Sequence, residues 1–400
     1  MPEQGACPLA GVRVVELATW VAAPACGMLL GDWGADVVKV EAPGGDVYRG
    51  MVRLGPEERN PAFELDNRGK RSITLDLETE RGRALLDELL GGSDVLLSNF
   101  LPGRLDELGL APEALRRRFP RLVVATLTGF GEAGPDRDRP SYDMGGFWAR
   151  SGMADMHTAI GEPPPTLRGA AGDHLSASAL AAAICAALLE RVGTGEGRHV
   201  TTSLLRNGLW ALSQDANILL RSGVALPSGG RAVSRNPLYN CYLTRDGRWL
   251  WLLGLLPDRH WPALAVALGH PEWLDDERFA SMAARAEHSP LLAELFDEAF
   301  ARHDLEDWRG VLDGAGVWWE PVATMAEALD DPQADAAGVF VAVDHDGDAV
   351  RAIAGPVDFV GSAPSPGRAP EAGEHTEEVL LELGHTWDEI VELRDGGALG

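Results

Sequence analysis

Residues 12–41 read VRVVELATWVAAPACGMLLGDWGADVVKVE, and this stretch decides the fold class. Its first six residues form an apolar run typical of a buried strand, and DVVKVE at 36–41 forms a second one. Between them, residues 22–33 predict an apolar helix with Pro24 in its first turn, a position that tolerates proline. Strand, helix and strand in this order form a βαβ unit, which places the two strands in one parallel sheet.

The alternation of strands and helices continues downstream of this unit. Further strands are predicted at 72–77, 94–98 and 122–126, with helices at 79–90 and 111–119 between them, as in a doubly wound α/β domain. An acid that ends the second strand, such as Glu41, can bind a ribose hydroxyl. The first turn, ATWVAAPACG, nevertheless lacks the GxGxxG fingerprint of dinucleotide-binding proteins, so binding of NAD or FAD is disfavoured.

The second half of the chain predicts a smaller domain and a return to the first one. The predicted elements after the helix that ends near residue 222 are, in order, a Gly- and Pro-rich loop at 226–240, a hairpin of strands 239–244 and 248–253 around Asp246-Gly247, helices over 258–314, strands at 339–343 and 352–359, a linker at 363–372 and a last helix at 376–383. We therefore predict a large domain over 1–222, a smaller inserted domain over 223–330, and a C-terminal segment, 331–400, that rejoins the large domain.

Composition disfavours several classes of function. The formal net charge of −26 over 400 residues argues against a nucleic-acid partner, because phosphate binding needs clustered Lys and Arg. No run of eighteen apolar residues predicts a membrane span, and no signal-peptide pattern opens the sequence. The four cysteines are far apart and lack CxxC spacing, which disfavours a zinc site and a disulfide framework. We expect a cytoplasmic protein with reduced thiols and no metal.

A lone carboxylate precedes the longest helical pattern in the chain, RGAAGDHLSASALAAAICAALLERVGTGEGRHV at 168–200. Ala177, Ala181, Cys185 and Leu188 recur at the spacing of a buried helical face. Ahead of them, Asp173 is predicted to be an N-cap, because its side-chain oxygen can accept bonds from unpaired backbone N–H groups. Taken alone, this pattern indicates a structural cap and no function.

Six stretches together resemble the class III CoA-transferases, the CaiB/BaiF group that includes formyl-CoA transferase, carnitine CoA-transferase and α-methylacyl-CoA racemase. They are, from residue 8 to residue 384, PLAGVRVVELATWVAAPACGMLLGDWGADVVKVEAPGGD, NRGKRSITLDL, DVLLSNFLPGRLDELGL, TGFGEAGP, GDHLSASALAAAICAALLERVGTGEGRHV and GEHTEEVLLELG. The resemblance implies an α/β fold with a Rossmann-like parallel-sheet large domain and a smaller inserted α+β domain. It also implies a homodimer of two interlocked, ring-shaped subunits.

The resemblance implies a catalytic role for Asp173. In the transferases of the group, the aspartate of the GD motif attacks an acyl-CoA thioester, and CoA passes to a carboxylic acid through an aspartyl anhydride and an aspartyl-CoA thioester. Coenzyme A and acyl-CoA are then substrates, with no permanently bound cofactor. An unperturbed aspartate is already ionised at pH 7, as this chemistry needs. For His174 two interpretations stay open: a packing or solvent-facing residue, or a group that tunes the Asp173 carboxylate.

Two alternatives remain, an acyl-CoA racemase or isomerase and a non-catalytic CoA-binding homologue. The racemase branch pairs its aspartate with a histidine from a GHD-type motif, and the matching stretch here carries Tyr142 in place of that histidine. A two-base mechanism needs a second group across the α-carbon, and tyrosine is a poor candidate for it. The resemblance therefore favours transfer, with Tyr142 in the acyl pocket. The third hypothesis holds only if Asp173 is merely a cap.

The resemblance also indicates where CoA binds. It assigns the thioester side to Val21 and Ala22, and the nucleotide to main chain at Leu75–Leu77 and Asn99–Leu101. The predicted contacts to CoA and substrate are Val21, Ala22, Arg71, Leu75, Asp76, Leu77, Asn99, Phe100, Leu101, Arg104 and Tyr142.

The charged and polar residues near these predicted contacts give two further indications. Arg104 is predicted to meet a phosphate, and Lys70-Arg71 with Arg68 form a basic cluster that is interpreted equally well as a solvated surface. Formyl-CoA transferase has glutamine where Val21 stands and arginine where Ala42 stands. The loss of both polar groups favours a hydrophobic or aromatic acyl group.

Overall fold

The computed structural model describes residues 7–51, 59–225, 227, 229–345, 347–361 and 366–400. The strands are β1 (Arg13–Leu17), β2 (Asp36–Glu41), β3 (Arg71–Thr74), β4 (Val95–Ser98), β5 (Val123–Thr128), β6 (His199–Ser203), β7 (Cys241–Leu243), β8 (Trp249–Leu252), β9 (Trp319–Pro321), β10 (Phe340–His345) and β11 (Asp348–Ile353). The α-helices are α1 (Ala22–Asp32), α2 (Pro61–Asn67), α3 (Glu80–Gly91), α4 (Pro102–Glu107), α5 (Pro112–Arg118), α6 (Met153–Met156), α7 (Ala171–Thr194), α8 (Leu204–Ala211), α9 (Ser213–Ser222), α10 (Pro257–Ala267), α11 (Met282–Glu287), α12 (Ser289–Phe300), α13 (Leu305–Gly314), α14 (Met325–Leu329), α15 (Pro332–Ala336), α16 (Thr376–Glu382) and α17 (Trp387–Asp395).

One parallel sheet organises the first half of the chain. Its strand order is β3-β2-β1-β4-β5-β6, and β1 pairs with β2 on one side and with β4 on the other. The chain thus reverses its winding direction between β1 and β4, the place where open α/β sheets bind ligands beyond the carboxyl ends of their strands. The predicted α/β fold with a Rossmann-like parallel sheet is confirmed.

Apolar side chains cover both faces of this sheet. Val14 points to a core formed with Leu30 of α1 and Leu180 of α7, while Val15 points to the opposite core with Leu86 of α3. Successive side chains of a strand point to opposite faces, so continuous apolar runs belong in a sheet that is buried on both faces. This arrangement explains why VRVVEL lacks an alternating pattern.

The chain forms two compact units. The larger one comprises residues up to Ala154, Thr166–Ser222 and Gln333–Gly400, and the smaller one comprises Asp155–Pro165 and Gly223–Pro332. In the smaller unit, β7, β8 and β9 form an antiparallel sheet around the predicted hairpin, with Leu243 opposite Trp249.

Aromatic side chains dominate the core of the smaller unit. The ring of Tyr242 stacks on Phe300 at 5.2 Å between centroids and meets the edge of Phe296 at 5.4 Å. Trp308 and Trp319 are buried in the same core, as expected from packing, whereas 54% of Trp318 is exposed.

Near the C-terminus, the structure differs from the sequence predictions at one strand and one helix. The second late strand ends at Ile353 and does not continue to residue 359, because the chain turns at the following Gly355-Pro356. The helix α17 was not predicted, although Thr386 and Glu389 form a capping box at its start. The predicted linker at 363–372 lies partly outside the described residues.

Buried ions link the strands of the large unit to the loops that follow them. Lys39 of β2 lies 3.1 Å from Glu16 of β1 and 3.0 Å from Asp46, and Lys70 lies 2.8 Å from the other oxygen of Glu16. The exposed side-chain fraction of Lys39, Glu16, Asp46 and Lys70 is zero. Gly27 of α1 leaves room for this network, since a Cβ atom there would lie on the Glu16 carboxylate.

The predicted basic cluster is therefore not a solvated surface. Lys70 is buried against Glu16, and Arg68 is buried against Asp32 at 2.6 Å. Burial lowers the pKa of Lys70 to about 8, and the neighbouring carboxylate of Glu16 opposes that effect. Both cations stabilise the fold and are already paired.

Candidate active site

The loop after β1 and the loop after β4 meet at the carboxyl edge of the sheet. Asn99 donates from Nδ2 to the Thr19 carbonyl (2.6 Å), and the Thr19 N–H donates back to Asn99 Oδ1 (3.1 Å). Ser98 Oγ donates to the Leu17 carbonyl at 2.8 Å. These reciprocal bonds fix the two loops at the point where the strand order reverses.

Two cavities open at this edge and share Thr19, Asn99 and Leu101. The first has a volume of about 420 Å³ and is lined by Thr19, Trp20, Val21, Ala22, Asn99, Leu101, Leu127, Thr128, Gly129, Pro140, Ser141, Tyr142, Asp173 and Leu204. The second has about 500 Å³ and is lined by Leu17, Thr19, Val40, Glu41, Ala42, Gly45, Asp46, Val47, Leu75, Asp76, Leu77, Glu78, Asn99, Phe100, Leu101 and Arg104. The residues predicted for the acyl side thus lie in the first cavity, and those predicted for the nucleotide lie in the second.

Of the predicted contacts, Arg71 is not among the residues that line either cavity. It begins β3, at the opposite edge of the sheet, and pairs with Asp36 (2.6 Å), Glu378 (3.2 Å) and Glu382 (2.9 Å). The Arg71 guanidinium forms ion pairs with three carboxylates, so its charge is neutralised within the fold. Its place in the sequence beside Lys70 suggested proximity to CoA, but the direction of the strand carries it away.

Arg104 lies at the rim of the second cavity. It is the third residue of α4 and pairs with Glu78 and, at 3.0 Å, with Glu107. Because the Arg104 side chain is 37% exposed, a phosphate can compete for it with these two solvated carboxylates.

Asp173 lies inside the first turn of α7 and is not its N-cap. The helix begins at Ala171, its N-cap position is Ala170, and no side chain caps it. The capping prediction is therefore wrong by three residues, because the left-handed Ala170 (φ 52°) starts the helix earlier than the polar pattern indicated. The carboxylate is consequently free of a capping bond and lines the first cavity.

The glycine before Asp173 allows α7 to approach another element closely. A Cβ atom at Gly172 would lie 2.6 Å from the ring of Phe147, which is shorter than van der Waals contact allows. Phe147 belongs to a π-helical turn over 144–149 that begins directly after Asp143. The GD pair therefore places the Asp173 carboxylate near a second acid from a distant stretch of the chain.

Burial raises the pKa of Asp173 to about 7, and the negative charges of Asp143 and Asp66 act in the same direction. His174 opposes them. Asp173 is therefore not the unperturbed, ionised carboxyl group that was expected at pH 7, because burial favours its protonated form. A strongly raised carboxyl pKa in a cleft is typical of functional sites, where charged groups are held without full solvation.

His174 is paired with the buried carboxylate of Asp66. The Nε2 atom of His174 lies 3.0 Å from Asp66 Oδ1, and only 2% of the Asp66 side chain is exposed. This hydrogen bond raises the pKa of His174, which favours the positively charged form of the ring. No sequence pattern marked Asp66, which lies on α2 more than a hundred residues before its partner.

The two non-glycine residues with positive φ in the described chain both border this site. They are Trp20 (φ 65°), in the loop after β1, and Ala170 (φ 52°), before α7. The Trp20 ring meets the edge of Tyr142 at 5.0 Å and lies 5.9 Å from Tyr48. Left-handed backbone at a bulky side chain is costly and persists only where the surroundings enforce it, as at ligand sites. The sequence offered no sign of this role for Trp20.

The amino end of α1 also faces the first cavity. Its N-cap residue, Val21, makes no side-chain capping bond, and both Val21 and Ala22 line the cavity. Unpaired N–H groups at a helix start attract negative charge. The first cavity therefore combines a carboxyl group of raised pKa with a helix end suited to an oxyanion.

Comparison with known proteins identifies the family. The family model of CoA-transferase family III matches residues 9–376. The chain belongs to this family. The (R)-2-hydroxy-4-methylpentanoate CoA-transferase of Clostridioides difficile is 31% identical, over 97% of this chain and 98% of that protein. The cinnamoyl-CoA:phenyllactate CoA-transferase of Clostridium sporogenes is also 31% identical, over 96% and 95%.

A solved family member has the same fold. The crystal structure of a CaiB/BaiF family protein from Brucella suis superposes with a TM-score of 0.82 at 33% identity, covering 94% of this chain and 99% of that one. The resemblance to the CaiB/BaiF group is thereby confirmed, and the relatives support a class III CoA-transferase. Coenzyme A thioesters are the substrates of this class of enzyme.

Proposed function

We propose that this member of CoA-transferase family III moves CoA from an acyl-CoA donor to a carboxylic acid, with Asp173 as the nucleophile. One observation carries the proposal: the Asp173 carboxylate lines a cavity that shares Thr19, Asn99 and Leu101 with a second groove. A CoA nucleotide in the second groove directs its thioester past the shared residues toward Asp173.

The proposed reaction proceeds through covalent intermediates on Asp173. A carboxylate oxygen attacks the acyl carbon of the donor, the C–S bond breaks, and CoA leaves as a thiolate. The thiolate attacks the aspartyl carbonyl of the resulting anhydride, so the donor acid leaves and an aspartyl-CoA thioester remains. The acceptor carboxylate displaces the thiolate, which then attacks the acceptor acyl carbon and regenerates Asp173.

The residues around Asp173 supply what these steps need. Each step forms an oxyanion, and the uncapped start of α1 at Val21 and Ala22 supplies backbone N–H groups along the same cavity. A carboxylate with a raised pKa is more basic, and hence more nucleophilic, than a solvated one once it is ionised. Tyr142 is 59% exposed and packs edge-on against Trp20, as expected of a pocket wall.

A trapping experiment tests the covalent role of Asp173. The protein is incubated with an acyl-CoA and quenched with hydroxylamine, which converts an aspartyl anhydride or thioester into a hydroxamate. We expect peptide mass spectrometry to find the hydroxamate at Asp173 and only in the presence of acyl-CoA. Exchange of the α-proton for deuterium with no adduct at Asp173 would instead support a racemase.

The first cavity favours an apolar acyl group. Its lining, as far as the chain is described, includes no Lys, Arg or His, and Trp20, Leu127, Tyr142 and Leu204 supply apolar surface. A second carboxylate on the acyl chain would lose its hydration without gaining a cationic partner.

Butyryl-CoA and succinyl-CoA form a matched pair for this point, since both acyl groups have four carbons and only one ends in a carboxylate. We expect kcat/KM to be at least about tenfold higher for butyryl-CoA, and higher again for a branched or aryl acyl-CoA. Steady-state assays with a common acceptor measure the ratio. Equal or better use of succinyl-CoA would contradict an apolar acyl pocket.

The interlocked homodimer and the cytoplasmic location belong to the same proposal. Helices α8 and α9 expose Trp210 (71%) and Leu220 (81%), together with Ile218 and Leu219. Exposed apolar patches of this kind mark interaction surfaces, and a second copy is the occupant that the family resemblance suggests. All four cysteines are free thiols, which agrees with a reducing compartment.

A further inference from the structure

Two carboxylates and one cation act on the proposed nucleophile. Asp66 comes from α2 and Asp143 precedes the π-helical turn, and both carry charge that acts on Asp173. Tyr48 lies in the short 3₁₀ turn after β2. Burial and the negative charges of Asp66, Asp173 and Asp46 raise the pKa of this tyrosine. His174 is the cation of this cluster, and no other cation acts on Asp173 among the described residues.

The His174 ring is held on two sides. It contacts the buried Asp66 at 3.0 Å and also hydrogen-bonds the backbone of Gly169. Gly169 and Ala170 form the left-handed turn (φ 71° and 52°) from which α7 begins. One side chain therefore ties the first turn of α7 to α2 and to the strained turn that aims Asp173 into the cavity.

We propose that His174 is a positioning residue, held by Asp66 and Gly169 in the first turn of α7, that places a positive charge beside the Asp173 carboxylate. The proposal rests on the proposed nucleophilic role of Asp173. Without the imidazolium, Asp66 and Asp143 face Asp173 with no opposing charge, and the protonated form of Asp173 predominates at pH 7. The covalent steps remove and regenerate one negative charge at Asp173, so a fixed cation beside it stabilises the start and the end of each cycle.

Variants that differ only in charge test this proposal. His174→Gln removes the charge, and His174→Lys keeps a cation within reach of Asp66. We expect the acid limb of the kcat/KM profile to move up by about 0.5–1 pH unit in His174→Gln, and to stay near its wild-type position in His174→Lys. Activity of His174→Gln at pH 9 should approach that of the wild type. A uniform loss at every pH in both variants would indicate a structural role only and overturn the proposal.

A second measurement needs no substrate. Because folding raises the pKa of Asp173, the unfolding free energy falls as the pH rises from the pKa of an unfolded aspartate toward about 7. An Asp173→Asn change removes this dependence. For each parent protein, we compare its unfolding free energy with that of its Asp173→Asn derivative. This difference stops changing above a certain pH, and that pH reports the pKa of Asp173 in the folded protein. We expect it to lie higher in the His174→Gln background than in the wild type.

His385 provides the matched control, because it forms a similar pair with Glu88 at 2.8 Å far along the chain from Asp173. His385→Gln should leave both measurements unchanged. An equal shift in His385→Gln, or none in His174→Gln, overturns the inference about His174. If the levelling-off point moves but no acyl-CoA labels Asp173, the proposed nucleophile fails while the effect of His174 on its ionisation stands.

Discussion

Asp173→Asn is expected to lower kcat/KM for CoA transfer by at least about 10³-fold, because an amide of the same shape cannot attack the thioester. The same change should stabilise the protein at pH 8 by about 1–3 kcal/mol, since it removes a desolvated charge that lies near Asp143 and Asp66. Below about pH 3, under the pKa of an unfolded aspartate, Asp173 is neutral in the folded and unfolded states, and the stabilisation should vanish. Steady-state kinetics and chemical denaturation at the two pH values check both parts.

Glu190→Gln is the control for this variant, because Glu190 is also on α7 but pairs with Arg198 at the surface. It should change neither activity nor stability by a measurable amount. A transfer rate of Asp173→Asn within about tenfold of the wild type would rule out covalent catalysis by this residue. A loss of both activity and stability would indicate that Asp173 is a structural residue after all.

Lys39→Met is expected to lower the unfolding free energy by about 3–5 kcal/mol, since it leaves Glu16 and Asp46 as buried charges without their partner. Burial alone would lower the pKa of Lys39, but Glu16, Asp46 and Glu41 raise it above its ordinary value, so the cation is the stable form. Asp46 also accepts from the backbone N–H groups of Trp20 and Tyr48. Transfer activity should therefore fall as well, because the Trp20 loop loses its anchor.

Urea denaturation of Lys39→Met and of Arg118→Met separates a buried pair from a surface pair. Arg118 pairs with Asp87 at 2.5 Å, but both side chains are more than a third exposed, so its loss should cost less than about 1 kcal/mol. Equal losses in the two variants would show that the buried network does not stabilise the fold in the way its geometry indicates.

The sequence predicts the parallel sheet well because its strands are buried on both faces and carry long apolar runs, as in VRVVEL. The resemblance to the CoA-transferases pointed to Asp173 and to five other residues of its cavity, namely Val21, Ala22, Asn99, Leu101 and Tyr142. The raised pKa of Asp173 could not be predicted, because it depends on burial and on Asp66 and Asp143, which approach only in three dimensions.

Local sequence patterns gave wrong predictions where the direction of the backbone determines the position of a side chain or of a helix start. Arg71 stands next to Lys70 in the sequence, yet one side chain enters the core and the other leaves the sheet at its amino edge. The cap at Asp173 was misplaced because a left-handed alanine is rare, so Ala170 carried no signal for a helix start. The same holds for Trp20, whose backbone conformation no residue preference would suggest.

Substitutions at Gly27 and at Glu16 depend on each other. Because the Glu16 carboxylate occupies the space of a side chain at position 27, any larger residue there displaces an ion that holds two lysines. Loss of Glu16 alone strands Lys39 and Lys70 in the core. The two positions, eleven apart in the chain, are thus expected to be epistatic: a relative with a larger residue at position 27 should lack Glu16, and a relative that lacks Glu16 should have replaced the lysines too.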